Sequence, residues 1–214
     1  MSSSRRYDST RRADAARETQ RRIIAAARHE LLERGYQATT LAALAGRASV
    51  SQQTIYNSVG SKAAVLKAVY DVQLAGDDEP IAMNARPEFH AVMSQRSVPA
   101  TLRAYAAMSR MIIGRVGPLL GAVFVDGAGS DAELRAFLAT IDRERRAGNT
   151  GVVTHIRDRF GLPEGLSLQR AVDAIWTLTA PEVADRLVRR CGWSLDDYET
   201  WLANALISGF RTRH

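Results

Sequence analysis

The sequence predicts an all-α fold, and three observations support this. Apolar residues recur at the three- and four-residue spacing of helices along most of the chain. Alternating runs of Val, Ile and Thr long enough for a strand are absent from the sequence. Capping residues, glycines and prolines divide the chain into segments of helical length. We therefore expect an N-terminal group of short helices followed by a longer helical body.

The composition indicates a globular protein. Of the 214 residues, 46% are apolar and 24% are charged, and the single cysteine excludes an intrachain disulfide. No stretch reaches the roughly 18 uninterrupted apolar residues of a membrane helix, and the N-terminus lacks the apolar run of a signal peptide. We therefore expect a cytoplasmic protein without a membrane partner.

The positive charge is concentrated near the N-terminus. The net charge of the chain is +6, and Met1–Lys62 holds eleven Lys and Arg against five Asp and Glu. The remaining residues hold eighteen of each, so the whole excess lies in the first part of the chain. A basic region attached to a neutral body suits a polyanion, because neutralised phosphates release their counterions. The alternative is a solvated basic face without a partner.

The first elements form a group of four helices. Residues 1–13 are polar, basic and without helical periodicity, which predicts a disordered arm. A first amphipathic helix over about 14–34 presents Ile23, Ala27 and Leu31 on one face, and Gly35 ends it. Three shorter helices follow it over about 41–48, 52–57 and 62–75, and their expected N-caps are Thr40, Ser51 and Ser61.

The rest of the chain predicts a linker and a helical body. Residues 76–99 contain Gly76 and three prolines, so they form a linker with one short turn of helix at most. Further helices are expected over about 100–116, 118–125, 131–146, 149–160, 168–190 and 194–211. The helix over 168–190 should kink or break at Pro181.

The second and third helices fit a helix-turn-helix frame that begins at Leu41. Small Ala45 lies where the two helices cross closely, and Val50 and Ile55 lie where core contacts are needed. Ser49 occupies the turn position that favours a positive φ, at a cost on the order of 1 kcal/mol relative to glycine.

Three groups of residues carry a resemblance to a known family. They are Gly35-Tyr36 with Thr39-Thr40, then Leu44-Ala45, Ala48, Val50-Ser51 and Thr54-Ile55-Tyr56, then Ser61-Lys62 and Val65-Leu66. In this pattern the chain resembles the TetR family of bacterial regulators. The tail resembles a subgroup of that family through Trp176, Leu178-Thr179, Pro181-Glu182-Val183, Gly192-Trp193-Ser194, Tyr198 and Trp201-Leu202.

The resemblance implies a domain organisation and a function. It implies a three-helix helix-turn-helix head over 14–62, joined by a fourth helix to a C-terminal helical ligand-binding and dimerisation domain over 63–214. It further implies a homodimer that binds a near-palindromic DNA operator, and repression that a small ligand relieves. Val59 replaces the larger aromatic residue common in the family's turn after the recognition helix.

Side-chain chemistry assigns roles within the head. Gln52 and Gln53 lie in the N-terminal half of the recognition helix, where their amides can read adenine, and the alternative is that they face solvent. Polar groups at helix ends and turns suit phosphate contacts, and Asn57 suits bases or phosphates. The full set of predicted DNA-binding residues is Thr40, Ser51, Gln52, Gln53, Thr54, Tyr56, Asn57 and Lys62.

The body supplies candidates for a pocket and an interface. Predicted pocket residues for an unidentified apolar effector are Tyr105, Met108, Ile112, Phe124, Phe137 and Trp176, and the alternative is that they are ordinary core. Predicted dimer contacts are Leu187, Trp201, Leu202, Leu206 and Phe210, and the alternative is burial within the monomer.

Two other classes of function are alternatives to a ligand-responsive regulator. The four histidines are scattered, and the sequence holds no phosphate loop, nucleophile elbow or paired carboxylates, so we expect no enzyme, metal or cofactor. A DNA-binding scaffold that ignores ligands remains the second alternative.

Overall fold

The computed structural model describes residues 3–125 and 131–210, and within these ranges it is all-α and has no strand. The helices are α1 (Ser3–Ala38), α2 (Leu41–Ala48), α3 (Gln52–Ser58), α4 (Lys62–Ala75), α5 (Pro87–Met93), α6 (Val98–Val125), α7 (Ala132–Phe160), α8 (Leu168–Leu178), α9 (Pro181–Ala184) and α10 (Leu195–Gly209). A 3-10 turn at Met83–Ala85 precedes α5, and a π-helical segment at Asp185–Arg190 continues α9. The predicted fold class is confirmed.

The chain divides into two compact units. The first unit is Met1–Asp78 together with Pro118–Phe137, and the second is Glu79–Gly117 together with Leu138–His214. The first unit extends beyond Lys62 because α4 packs on α1. Each unit has its own core.

The core of the first unit is built from one face of each short helix. Its fully buried side chains include Ile23, Ala27 and Leu31 of α1. Leu44 of α2, Ile55 of α3 and Leu66 and Val69 of α4 are also fully buried. Tyr70 packs edge-to-face on Phe137, with the ring centroids 5.8 Å apart. The periodicity that predicted these helices therefore also identified the faces that they bury.

Each of the three predicted N-caps is in place. The backbone N–H groups of Ala43, Thr54 and Ala64 donate to the side-chain oxygens of Thr40, Ser51 and Ser61, respectively. Each bond satisfies a donor that would otherwise be unpaired in the first turn of the helix. The starts of α2, α3 and α4 are thus determined locally by the sequence.

Two turn positions have a positive φ. Gly35, at φ 76°, interrupts α1 and ends its regular part, as predicted. Ser49, at φ 53° and ψ 49°, is left-handed, and its N–H reaches back to the carbonyls of Ala45 and Gly46. Ser49 is the one non-glycine residue with a positive φ among the described residues. The helix-turn-helix therefore contains the backbone conformation expected from its frame.

The N-terminus differs from the prediction of a disordered arm. The helix α1 begins at Ser3, so residues 3–13 are helical, while residues 1 and 2 lie outside the described residues. The segment lacks an apolar face, but it adjoins a helix that is already packed from Ile23 onward. Extending an existing helix avoids the cost of nucleation, and Arg and Ala, both present in this segment, favour helix.

Two predicted helix breaks are absent. The separate helices predicted over 100–116 and 118–125 form a single helix, α6, with Pro118 inside it. Pro118 and Gly114 are exposed, so water can reach the carbonyl that the proline leaves without an N–H partner. The helices predicted over 131–146 and 149–160 are likewise one helix, α7, in which Gly148 costs about 1 kcal/mol relative to alanine.

The helix α6 is long and apolar enough over Val98–Phe124 to cross a membrane, by length and composition. Its buried side chains include Leu102, Ala106 and Leu119. Arg110, within the same stretch, forms an ion pair with Glu199 at 3.4 Å. These are the features of a core helix.

The second unit has its own apolar core. The buried members of this core come from α5, α6, α7, α8, α9 and α10, and include Leu102, Val153, Ile175 and Leu202. The predicted break near Pro181 is present, since α8 ends at Leu178 and α9 begins at Pro181. The predicted final helix ends at Gly209 in the structure, while residue 211 lies outside the described residues. The exposed thiol of Cys191 follows the π-helical segment.

Candidate nucleic-acid interface

The helix α3 has one buried side and one exposed polar side. Ile55 is fully buried and anchors the helix in the first unit. On the other side Gln52, Gln53 and Asn57 are exposed, and the ring of Tyr56 is 62% exposed. A large aromatic side chain left this open is unusual for a side chain that could add to the core. The exposed face of α3, defined as Gln52, Gln53, Tyr56 and Asn57, is therefore available to a partner.

Two members of this face are bonded to each other. The amide Nε2 of Gln53 donates to Oδ1 of Asn57 at 2.9 Å, across one turn of the helix. The pair orients both side chains along the exposed face. It leaves the carbonyl oxygen of Gln53 and the amide nitrogen of Asn57 pointing away from this bond, so the face retains both an acceptor and donors.

Ser51 and Thr54 hold the start of α3. Ser51 Oγ accepts from the backbone of Thr54 at 3.0 Å, and the two hydroxyls lie 2.8 Å apart. The cap fixes the orientation of the first turn, which carries Gln52 and Gln53. A role in positioning α3 therefore accounts for both hydroxyls, whatever further contact each makes.

Thr40 is exposed, and its hydroxyl caps α2 by accepting from Ala43 at 3.1 Å. Its place at the start of a helix also suits an anion, because unpaired backbone N–H groups lie there. The predicted phosphate contact and the observed cap are compatible, since a hydroxyl can accept one bond and donate another.

Lys62 lies against α1, which its position in the sequence did not indicate. Its Nζ donates to the backbone carbonyl of Gln37 at 3.3 Å and lies 4.2 Å from the centroid of the Tyr36 ring. The ammonium thus joins the start of α4 to the end of α1, where carbonyl groups favour a cation. Burial, together with the carboxylates of Asp131 and Glu133, raises the pKa of Tyr36 to about 12, so this ring stays neutral.

A buried ion pair positions the helix before α3. Glu30 of α1 is 3% exposed and accepts from Arg47 of α2 at 2.7 Å, while Arg34 lies 3.3 Å from its other oxygen. The bond from Arg47 holds the pKa of Glu30 below its usual value against the opposing effect of burial, and Arg34 adds to this lowering. Glu30 and Arg47 are not among the functional residues predicted from the sequence. The signal of this pair in the sequence is an acidic residue on the apolar face of α1, next to Leu31.

The predicted pocket residues fall in both units. Tyr105, Met108 and Ile112 belong to or pack on the core of the second unit. Trp176, also in that unit, is half-buried and donates from Nε1 to Asp142 at 3.0 Å. Phe124 and Phe137 belong to the first unit, where Phe137 packs on Tyr70. Of the candidates in the second unit, Tyr105, Met108 and Ile112 share the apolar core.

The predicted dimer contacts differ in how far a single protomer buries them. Leu202, Leu206 and Phe210 are buried in the core of a single protomer, so these three side chains have little surface left for a partner. Leu187 and Trp201 are partly exposed, and Trp201 packs edge-on against the exposed ring of Trp193. The helical periodicity of α10 reports that a face is buried, but not whether the same chain or another chain covers it.

Comparison with known proteins agrees with this arrangement. Residues 23–69 match the family model of bacterial regulatory proteins, tetR family. No curated protein sequence matches the chain.

Similar solved structures cover nearly the whole chain. The fatty acid degradation regulator FadR from Bacillus halodurans has a TM-score of 0.68 and 18% identity, covering 91% of this chain and 97% of its own. The transcriptional regulator FadR from Bacillus subtilis in complex with stearoyl-CoA has the same TM-score and identity, covering 89% and 98%. FadR from Thermus thermophilus, a TetR family transcriptional repressor in complex with lauroyl-CoA, has a TM-score of 0.61 and 22% identity, covering 91% and 96%. At these identities the likeness shows a shared fold.

Proposed function

We propose that this chain is a transcriptional regulator of the TetR family, whose family model matches residues 23–69, and that it represses genes by binding an operator through α3. The observation that carries this proposal is the exposed polar face of α3, which is mounted on a fully buried Ile55 and capped by Ser51. A helix that is anchored on one side and polar on the other can enter a major groove without breaking any contact within the first unit.

The proposed readout uses amide groups. Gln52 and Gln53 present donors and an acceptor in the first turn of α3, which is where a recognition helix meets base edges. Glutamine can bond the N6 and N7 positions of adenine with two hydrogen bonds. Gln53 would keep its bond to Asn57 or exchange it for the base, so the pair also limits the rotamers that the free protein populates.

The proposed phosphate contacts surround this face. Thr40 and Tyr56 are exposed, and the hydroxyl of each can donate to a phosphate oxygen. Lys62 lies close to the Tyr36 ring and to a backbone carbonyl, and its ammonium has three donors. We expect Lys62 to support contacts of α1 and α4 with the DNA backbone and to add positive potential there. We do not expect Lys62 to read the base sequence.

We further propose a homodimer that binds a near-palindromic operator. Two heads related by a twofold axis would read half-sites about one helical turn apart, which multiplies their affinity. The partly exposed side chains Leu187 and Trp201 support an interface near α9 and α10.

The second unit is proposed to sense a small apolar molecule that relieves repression. Support comes from the apolar core around Tyr105, Met108 and Ile112 and from the acyl-CoA molecules in two of the similar structures. We therefore take a fatty acyl thioester as the first class of effector to test. A regulator that binds DNA without an effector is the alternative.

The testing experiment is fluorescence anisotropy on DNA from upstream of the protein's own gene, compared with a shuffled duplex, at near-physiological salt. We expect a preference on the order of a thousandfold, at two protomers per site. Equal and weak binding to both duplexes, followed by no enriched site in a selection from random DNA, would overturn the regulator proposal. Adding lauroyl-CoA should release the operator, and unchanged binding across acyl chain lengths would favour the effector-independent alternative.

A further inference from the structure

An arginine of the second unit is largely enclosed by the protein. The side chain of Arg145, on α7, is 17% exposed. It donates to Asp142 at 2.9 Å, to the backbone carbonyl of Trp176 at 3.0 Å, and at the longer distance of 3.5 Å to the hydroxyl of Thr179. A guanidinium has five N–H donors, so this set of acceptors leaves donor capacity at the Arg145 head group.

Polar side chains from other helices meet at the same place. The hydroxyl of Tyr105, on α6, donates to Oδ1 of Asn149, and Nδ2 of Asn149 reaches Thr179 at 3.5 Å. Tyr105, Asn149 and Thr179 are each at most 9% exposed. Buried polar groups are costly unless they are paired, so a polar chain within an apolar core calls for a reason.

The hydroxyl of Tyr198 is a buried polar group that lacks a hydrogen-bond partner among the described residues. Tyr198, on α10, is fully buried, and no donor or acceptor among the described residues bonds its Oη. Burial raises the pKa of Tyr198 to about 12, and the positive charge of Arg145 acts in the opposite direction. Tyr198 thus stays protonated and can donate. Tyr105 and Tyr198 belong to the same buried core of the second unit.

We propose that these residues, the Arg145 cluster, bind an acceptor oxygen at the polar end of an apolar effector. The cluster is Tyr105, Arg145, Asn149, Thr179 and Tyr198. A carboxylate or a carbonyl oxygen accepts bonds and donates none, which matches the donors left at Arg145 and Tyr198. Apolar side chains of the second unit, including Met108 and Leu202, would hold the rest of the molecule. This inference rests on the proposed sensing function of the second unit.

If the Arg145 cluster only held helices together, Tyr198→Phe would have a different effect from the one expected of a binding site. Because the Tyr198 hydroxyl forms no hydrogen bond with the residues that the structure describes, its removal should leave the thermal midpoint of the free protein unchanged or raised. The same change should weaken an effector that depends on this hydroxyl. The loss of affinity without a loss of stability separates binding from a structural role.

The experiment measures dissociation constants by calorimetry for three probes: lauroyl-CoA, the thioether S-dodecyl-CoA, which lacks the carbonyl oxygen, and laurate. We expect wild type to bind lauroyl-CoA or laurate more tightly than S-dodecyl-CoA. Tyr198→Phe should weaken the preferred probe about five- to tenfold, the range of one hydrogen bond. Arg145→Met should weaken it further. Preference for laurate identifies a carboxylate as the bound group, and preference for lauroyl-CoA identifies the thioester carbonyl.

The matched control is Tyr70→Phe, a buried tyrosine of the first unit, which should leave all three affinities unchanged. Equal binding of lauroyl-CoA and S-dodecyl-CoA, with no effect of Tyr198→Phe, would overturn the assignment of the Arg145 cluster. Failure of wild type to bind any probe would overturn both this inference and the sensing proposal. Operator binding, measured on the same preparations, reports separately whether the regulator proposal stands.

Discussion

At the scale of single residues, the side chains of α3 divide into those that hold the helix and those that it presents. Ser51, Thr54 and Ile55 are occupied by capping and packing, whereas Gln52, Gln53 and Tyr56 make few contacts within the first unit. A residue that contributes little to the stability of the fold can be substituted without unfolding the protein. The effects of substitutions on DNA binding should therefore be cleanest on the exposed face.

Gln53→Ala should weaken binding to the operator more than binding to a shuffled duplex, by about 1–3 kcal/mol if the amide reads a base with two hydrogen bonds. Anisotropy titrations on both duplexes give the comparison. Lys62→Ala serves as the contrasting variant, because a loss of positive potential should weaken both duplexes about equally and make the salt dependence shallower. An equal loss on both duplexes for Gln53→Ala would remove Gln53 from the base-reading set.

The buried Glu30 predicts a pH dependence of stability. Its pKa is lowered in the folded state by the bond from Arg47, so its contribution is complete above its ordinary value of 4.5. The contribution is lost as the pH falls through the lowered pKa, because protonation breaks the ion pair. Below about pH 4.5, the thermal midpoint of wild type should fall more steeply than that of Glu30→Gln.

Exposed Glu33 provides the control for this measurement. It lies one turn from Glu30 on α1 and pairs at the surface with His29 at 3.1 Å. Glu33→Gln should follow the wild-type pH profile, since exposed pairs contribute little. Parallel profiles for wild type and Glu30→Gln would show that the pair with Arg47 carries no pH-dependent stability.

At the scale of elements, the turn between α2 and α3 carries strain that can be relieved. Ser49 is left-handed, whereas Gly46, three residues earlier, lies in α2 without a positive φ and with open space around the position of a Cβ. Ser49→Gly should stabilise the protein by about 0.5–1 kcal/mol through the turn. Gly46→Ala should stabilise it by a similar amount, about 0.5–1 kcal/mol, through helix propensity.

Urea unfolding measures both changes, and Ser49→Ala is the comparison for the turn. Alanine has a Cβ like serine and gains nothing at a left-handed position. Equal stability of the glycine and alanine variants at position 49 would contradict the assignment of strain. The two stabilising substitutions together should leave the geometry of the head unchanged. The combined variant would therefore allow DNA binding to be measured under conditions close to those that unfold the wild type.

The elements also show how far the sequence alone could lead. The starts of α2, α3 and α4 were predictable because each depends on a hydroxyl three residues from the N–H that it caps. The breaks predicted near Pro118 and Gly148 were wrong, because buried residues on both sides of each position hold the helix continuous. Local signals specify helix starts well, but tertiary packing decides whether a weak position breaks a helix.

Contacts distant in sequence were the part that could not be predicted. Lys62 meets Gln37, Glu30 meets Arg47, and Tyr105 meets Asn149, across 25, 17 and 44 residues. Each needs the relative placement of two helices, which periodicity does not supply. The exposed face of α3 was predictable because its residues neighbour one another on a single helix. The Arg145 cluster was not, because it assembles from α6, α7, α8 and α10.

At the scale of the whole molecule, the net positive charge is concentrated in one stretch of the sequence. The positive excess of the chain lies within Met1–Lys62, while the sequence after it is neutral. A dimer would double this excess at its two heads, so DNA affinity should fall steeply with salt. The sequence after Lys62, whose charges sum to zero, should contribute little to that dependence.

The proposed dimer predicts a change in sedimentation for Trp201→Ala. Trp201 is partly exposed and contacts the rings of Trp193 and Tyr198, so its removal takes away apolar area at the surface of α10. The sedimentation profile should shift toward monomer, with operator binding weakened in parallel. A thermal midpoint measured on the same sample confirms that the variant is folded, and an unchanged dimer would place the interface elsewhere.

The exposed thiol of Cys191 is a single site for chemical labelling. Because the chain has one cysteine, a maleimide spin label attaches at one site without any substitution. A homodimer labelled in this way has one label per protomer, and dipolar spectroscopy would yield one intermolecular distance. Recording that distance for the free protein, with operator DNA, and with an acyl-CoA would measure the rearrangement between the proposed repressing and released states.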